Sequence, residues 1–233
     1  MLQASRVICV ILFTVLAWTG TEREVGGQAL PNPYRAVDGW VKLPDGRQMG
    51  AVGGVTIEPG GEYIWAVVRC DATAPERFGN ECLDSDLDPV LKFNLDGEVV
   101  QSFGGGMFIW PHGIDVDPDG NVWVTDAVAA ARTPEGTRGH QVIKFSPDGE
   151  VLLRLGTAGQ PGSGPGQLNE PCDVITAPNG DIFVSDGHSG QGADPPPGST
   201  GRILKFDSEG NFIKEWGEIG FRPGQFRTPH AME

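Results

Sequence analysis

Residues 110–126 read WPHGIDVDPDGNVWVTD: one histidine, an apolar run, a Pro-Asp-Gly turn and a second apolar run that closes on Asp126. The skeleton recurs at residues 171–186 as PCDVITAPNGDIFVSD, and it starts again at Pro229-His230-Ala231-Met232. The starting prolines, at 111, 171 and 229, are 60 and 58 residues apart. A fixed period in this range marks stacked copies of one supersecondary unit.

Each copy has a companion downstream. Residues 141–156 (QVIKFSPDGEVLLRLG) follow the first quoted copy, and residues 202–217 (RILKFDSEGNFIKEWG) follow the second. Upstream, residues 53–69 and 90–103 make an earlier unit of the same kind. The runs are rich in Val, Ile, Phe and Trp, the residues that favour strands. The turns between them (PGG, LDG, PDG, PNG, SEG) carry a glycine for positive φ, and LDG, PDG and PNG add an Asp or Asn to hydrogen-bond its own backbone. No stretch beyond residue 19 keeps a 3.6-residue apolar period. The unit is therefore four antiparallel strands, and repeated four-stranded sheets are the blades of a β-propeller. The class is all-β, with blades at 50–104, 112–156 and 172–217 and a new start at 229. That is about three and a half blades, an open arc. Propellers close with four to eight blades, so a longer chain of roughly 330–360 residues is expected. Residues 34–43 read as a lead-in strand ending in the Pro44-Asp45-Gly46 turn. The variable connections 71–89, 127–140 and 187–201 share one side of the sheets, where binding is expected.

The composition is globular, 39% hydrophobic and 21% charged. A net charge of −14 repels phosphate backbones and anionic lipid surfaces, so no nucleic acid or membrane partner is expected. Residues 7–18 (VICVILFTVLAW) are apolar and too short to span a bilayer comfortably, so residues 1–19 read as a signal peptide. Ala17 and Thr19 do not make a clean cleavage site, which leaves an uncleaved anchor open. Residues 20–49 are then an N-terminal tail and lead-in. Export implies a secreted or periplasmic protein in an oxidising compartment. There, Cys70 and Cys82 are expected to staple the loop they flank, and Cys172 is left over.

At these residues the chain resembles NHL-repeat proteins: P-x-x-[IV]-x-x-x-P-[DN]-G-[DN]-[IV]-[FW]-V-[ST]-D, then [IV]-x-K-F-x-x-x-G, over roughly residues 50–233. More narrowly, WPHGIDVDPDGNVWVTD, HQVIKF and IFVSDG resemble the lyase domain of the peptidylglycine α-amidating enzymes. That resemblance implies a six-bladed propeller with zinc in its channel on three histidines. It also implies cleavage of peptidyl-α-hydroxyglycine into a peptide amide and glyoxylate. His112 and His230 match two of the zinc motifs, and the third is expected beyond Glu233, so this chain alone is expected to be inactive. Arg69 matches an active-site arginine. Val55 and Ile114 match backbone positions that hold a structural calcium. His188 stands where the family has a tyrosine, which points to a different base or a different substrate. A monomer is expected when the chain is full-length.

Plainer readings compete. His112 and His230 share one register and would face one axis, yet both could simply hydrogen-bond within the turns that begin each blade. Arg69 suits a substrate carboxylate or hydroxyl, or a salt bridge to Asp84, Asp86 or Asp88. His188 has the intrinsic pKa of an acid or base, or is a loop histidine. Cys172 falls between alternate blades and reads as a small buried residue. Asp126 and Asp186 recur at one register and read as turn caps, and Lys92, Lys144 and Lys205 as solvated scaffold. A non-catalytic NHL propeller that binds a protein or peptide partner is the second functional reading.

Overall fold

Three four-stranded antiparallel sheets follow one another along the chain, as the repeat predicts. The computed structural model describes residues 32–70, 81–128 and 137–233. The expected leader, most of the tail and residues 71–80 and 129–136 of the variable connections lie outside the described residues. The chain divides into two units, Met1–Asp38 and Gly39–Glu233, and all the sheets belong to the second.

The first sheet holds β1 (Val52–Ile57), β2 (Ile64–Val68), β3 (Val90–Phe93) and β4 (Val99–Phe103). The second holds β5 (Pro111–Val116), β6 (Val122–Asp126), β7 (Gln141–Phe145) and β8 (Val151–Gly156). The third holds β9 (Pro171–Thr176), β10 (Ile182–Asp186), β11 (Arg202–Phe206) and β12 (Phe212–Trp216). Strands pair only with their sequence neighbours, and each sheet has a bulge at the same point of its last hairpin, Lys92/Phe93, Lys144/Phe145 and Lys205/Phe206. The bulge needs a tight turn, and Gly97, Gly149 and Gly210 supply it with φ of 79°, 89° and 86°.

Middle strands such as IWAVV and the VWV of VWVTD are apolar on both faces because sheets one and two are covered on both sides. Between sheets one and two, Trp65, Val67, Phe103 and Phe108 pack on Ile114, Val124, Ile143 and Phe145. Between sheets two and three, Trp123, Val142 and Leu155 pack on Val174, Val184, Leu204 and Phe206. The other face of sheet one, with Val68, Leu91 and Phe93, is covered by Trp40, Leu43 and Met49. Fully burying one such side chain contributes about 1.5–3 kcal/mol, so the blade interfaces dominate the stability. On β12 the outer residues Ile213 and Trp216 stay exposed, and among the described residues the sheets form an open series rather than a closed ring.

Two expectations change. Residues 34–43 are not a strand; their only ladder contact is an isolated bridge from Lys42 to Glu98. Trp40 and Leu43 hold that segment by side-chain packing instead. The repeated lysines are not solvated: Lys92 pairs with Glu58 at 2.7 Å, Lys144 with Asp117 at 3.2 Å and Lys205 with Asp181 at 2.5 Å. Each also lies over an aromatic ring of its own blade, Tyr63, Trp123 and Phe183, so the KF motif is an internal clasp.

Asp126 and Asp186 do cap turns. Asp126 takes the N–H groups of Ile109 and Trp110 at 3.0 and 2.7 Å, and Asp186 takes that of Asn169 at 2.6 Å and the Arg202 guanidinium at 3.1 Å. Both are fully buried, and burial pushes their carboxyls up to about 6 and about 7 against those donors. They fix the chain just before β5 and β9, the strands that carry the site. Cys70 and Cys82 are joined in a disulfide.

Candidate metal centre

The first strands of the three sheets, β1, β5 and β9, line a cavity of about 740 Å³ together with residues 230–233. His112 on β5 and His230 both face it, so the shared register does bring these two side chains together. Their rings lie 4.5 Å apart. His188, in the 3₁₀ turn His188–Gln191 that follows β10, comes within 5.0 Å of the His112 ring and 5.4 Å of the His230 ring. One nitrogen from each of the three lies within 4.8 Å of the others. Residues 229–233 run past β9 without forming a strand, tied by Met232 N–H donating to Asp173 Oδ2 at 2.8 Å.

The tautomer of His112 is set by the next blade. Its Nδ1 lies 2.8 Å from the carbonyl of Cys172, which can only accept, so Nδ1 carries the proton and Nε2 keeps a lone pair. The same carbonyl accepts from Thr125 Oγ1 at 3.1 Å, and Thr125 Oγ1 in turn accepts from Gly113 N–H at 2.8 Å. Blade two and blade three are thus clasped at the histidine. His112 is 4% exposed, and burial first, then the neighbouring His188, push its pKa down to about 3. Burial does the same to His188, with His230 and Arg69 acting in the same direction, down to about 4. Both imidazoles are therefore neutral at neutral pH, as metal ligation requires. Three imidazoles with no carboxylate among them, their nitrogens within 4.8 Å of one another, are a donor set that suits a zinc ion with an open fourth position.

Arg69, at the end of β2, stands beside this cluster. Its guanidinium carbon lies 3.5 Å above the centre of the Trp110 ring, and its Nε donates to the Pro111 carbonyl at 3.3 Å. The Trp110 ring also meets His188 edge-on at 4.6 Å and His112 at 5.2 Å. Reasoning from sequence paired His112 with His230 and picked Arg69 and His188 apart from them. It did not foresee that His188 would share a centre with the other two, nor the parts of Trp110 and Thr125.

Val55 and Ile114, the two backbone positions, lie on β1 and β5 and line the same cavity, as do Asp115 and Asp173. Burial raises both carboxyls, Asp173 to about 6, and the charge of Asp115 adds to the rise of Asp173. Cys172 is fully buried beneath the cluster, with its thiol raised by burial, and contributes its carbonyl rather than its sulfur. His140, the remaining histidine, is buried elsewhere and accepts the Glu170 N–H at Nδ1.

The NHL repeat matches residues 108–130. Over 180 residues, 74% of the chain, the sequence is 34% identical to the peptidylglycine alpha-amidating monooxygenase of Rattus norvegicus, and it spans 16% of that protein. It is 37% identical over 147 residues, 58% of the chain, to the peptidyl-alpha-hydroxyglycine alpha-amidating lyase 1 of Drosophila melanogaster, spanning 23% of it. The chain thus covers less than a quarter of the length of either relative. A solved Bacteroides thetaiotaomicron protein of unknown function shares the fold at a TM-score of 0.50 and 17% identity, over 78% of this chain and 41% of that one. Sheets, repeat and relatives together make this a chain of β-propeller blades that carries an NHL repeat and resembles the peptidyl-α-hydroxyglycine α-amidating lyases.

Proposed function

We propose that this chain carries the metal centre of a lyase that cleaves peptidyl-α-hydroxyglycine into a peptide amide and glyoxylate. The observation that carries the reading is the convergence of His112, His188 and His230, with nitrogens within 4.8 Å, beside Arg69. In that reaction the C–N bond breaks, the α-hydroxyl loses its proton as its C–O bond becomes a carbonyl, and the amide nitrogen gains a proton. Nothing is oxidised or reduced overall.

The three histidines would hold zinc, and a calcium ion on the carbonyls of Val55 and Ile114 belongs to the same reading. Zinc in such a site polarises a substrate oxygen or lowers the pKa of a bound water. The Cys172 carbonyl holds the His112 proton on Nδ1 and orients the ring. Arg69 offers a planar guanidinium beside the cluster, suited to the substrate carboxylate. His188 takes a ligand's place where the relatives' pattern has a tyrosine. Its Nδ1 lies 3.2 Å from the Gln191 carboxamide. Turning that carboxamide over lets its oxygen accept from Nδ1–H and leaves Nε2 with a lone pair. The disulfide supports export to an oxidising compartment. No nucleic acid partner is part of the reading, and the active species is a monomer.

The test is glyoxylate release from an α-hydroxyglycine-terminated peptide by the full chain supplied with zinc. The reading expects turnover that a chelator removes. His188→Ala separates two roles: lost metal assigns His188 to the centre, and retained metal with lost turnover assigns it to proton transfer. Peptide binding that needs no metal and yields no glyoxylate would make the chain a non-catalytic binding propeller.

A further inference from the structure

We infer that Trp110 is a positioning residue: its indole holds the Arg69 guanidinium flat beside the three-histidine cluster and thereby builds a subsite for a small carboxylate. The inference rests on the reading of Arg69 as the carboxylate partner. Three observations converge on the ring. Its face carries the Arg69 guanidinium carbon at 3.5 Å. It meets the His188 imidazole edge-on at 4.6 Å, with 78° between the planes. It lies 5.2 Å from the His112 ring on the other side of Pro111. One side chain therefore touches the arginine and two of the three histidines.

The ring is itself held in place. Trp110 N–H donates to the buried Asp126 carboxylate at 2.7 Å, and the Trp110 carbonyl accepts from Ala127 N–H at 3.1 Å. Both backbone groups are tied to the end of β6, so the indole is fixed by the same cap that starts β5. Arg69 reaches it from β2 of the neighbouring blade and is tethered at Nε to the Pro111 carbonyl, the residue between Trp110 and His112. A guanidinium stacked on a ring face donates in its own plane, which is the geometry a planar carboxylate needs. A lysine could not use the ring in this way, and an aliphatic residue at 110 would give Arg69 no face to lie on.

The stacking half of the inference is read without metal or turnover. The Arg69 Nε–H proton resonance of the full chain is expected upfield, displaced by the indole ring current. The displacement should persist in Trp110→Phe and vanish in Trp110→Leu, which keeps an apolar filler but removes the ring. The functional half is read in the cobalt(II)-loaded chain by titrating glyoxylate against the visible cobalt band. Trp110→Leu is expected to weaken glyoxylate binding about threefold to thirtyfold, the range a partly buried cation–π contact supports. Trp110→Phe stays within about threefold of the parent. The double variant Trp110→Leu, Arg69→Ala should bind no more weakly than Arg69→Ala alone, because the ring acts through the arginine. An unshifted Arg69 resonance, unchanged glyoxylate affinity in Trp110→Leu, or effects that multiply in the double variant would each overturn the inference. A chain that shows the shift and the coupling but releases no glyoxylate from a hydroxyglycine peptide would sink the lyase reading and leave this one standing.

Discussion

Gly113 is where the spacing of the blades meets the metal centre, and replacing it with alanine tests that junction. A Cβ at Gly113 would lie 2.6 Å from the Cys172 carbonyl oxygen, 2.7 Å from Asp173 Oδ1 and 2.8 Å from Asp173 Cα. These are backbone and short side-chain atoms, so β5 and β9 must move apart by several tenths of an ångström. Overpacking of this kind costs about 1–3 kcal/mol. At about 2–4 °C per kcal/mol for a body of this size, Gly113→Ala should lower the Tm by roughly 2–12 °C. The same displacement stretches the 2.8 Å contact from His112 Nδ1 to the Cys172 carbonyl. Zinc affinity should then fall about tenfold or more, as when a group supporting a ligand is lost. Gly120→Ala is the control. Gly120 also has positive φ, 83°, but its added Cβ would meet only Pro147 Cγ at 3.6 Å. It should cost about 1–2 kcal/mol of backbone strain and leave zinc binding intact. Thermal melts and competitive zinc titration of both variants decide the matter. A Gly113→Ala protein that melts within about 1 °C of the parent and keeps its zinc affinity would refute the reasoning.

Two further outcomes follow from the scaffold. His140 is buried and its pKa is lowered by burial to about 4. Between pH 6.5 and 4 the unfolded state binds the extra proton, so stability is present above 6.5 and is lost as pH falls towards 4. The loss is at most about 3 kcal/mol. His140→Asn, which tolerates the φ of 54° at this position, should flatten that part of a denaturation-versus-pH curve relative to the parent. The Cys70–Cys82 disulfide closes a separation of 12 residues. Replacing both cysteines with serine should cost about 3 kcal/mol, seen as a lower midpoint in urea.

Much of the fold was legible because the repeat encodes it locally. The turn glycines, the spaced Asp126 and Asp186, and the two-sided apolar strands all act within one blade or its neighbour. Residues 34–43 misled because an alternating segment can be held by two anchors, Trp40 and Leu43, without joining a ladder. The lysines misled because an exposed-looking register said nothing of Glu58, Asp117 and Asp181 waiting in the β1–β2, β5–β6 and β9–β10 turns. At the site, His112 and His230 were readable because the repeat places equivalent registers on one axis. His188 was not, because a 3₁₀ turn after β10 folds it back, and no periodicity predicts where a loop returns. The Gly187-His188 turn hangs from the Glu170 carbonyl, a contact across 17 and 18 residues that only the folded chain reveals.

The most direct test is zinc binding to the full chain, with stoichiometry and affinity compared across His112→Ala, His188→Ala, His230→Ala and the control His140→Asn. The account predicts one zinc per chain. Each of the three alanine variants should lose at least about a hundredfold in affinity, and the His140 variant should bind like the parent. Zinc binding that survives His188→Ala unchanged, or that His140→Asn weakens as much as the others, would contradict a centre built from His112, His188 and His230.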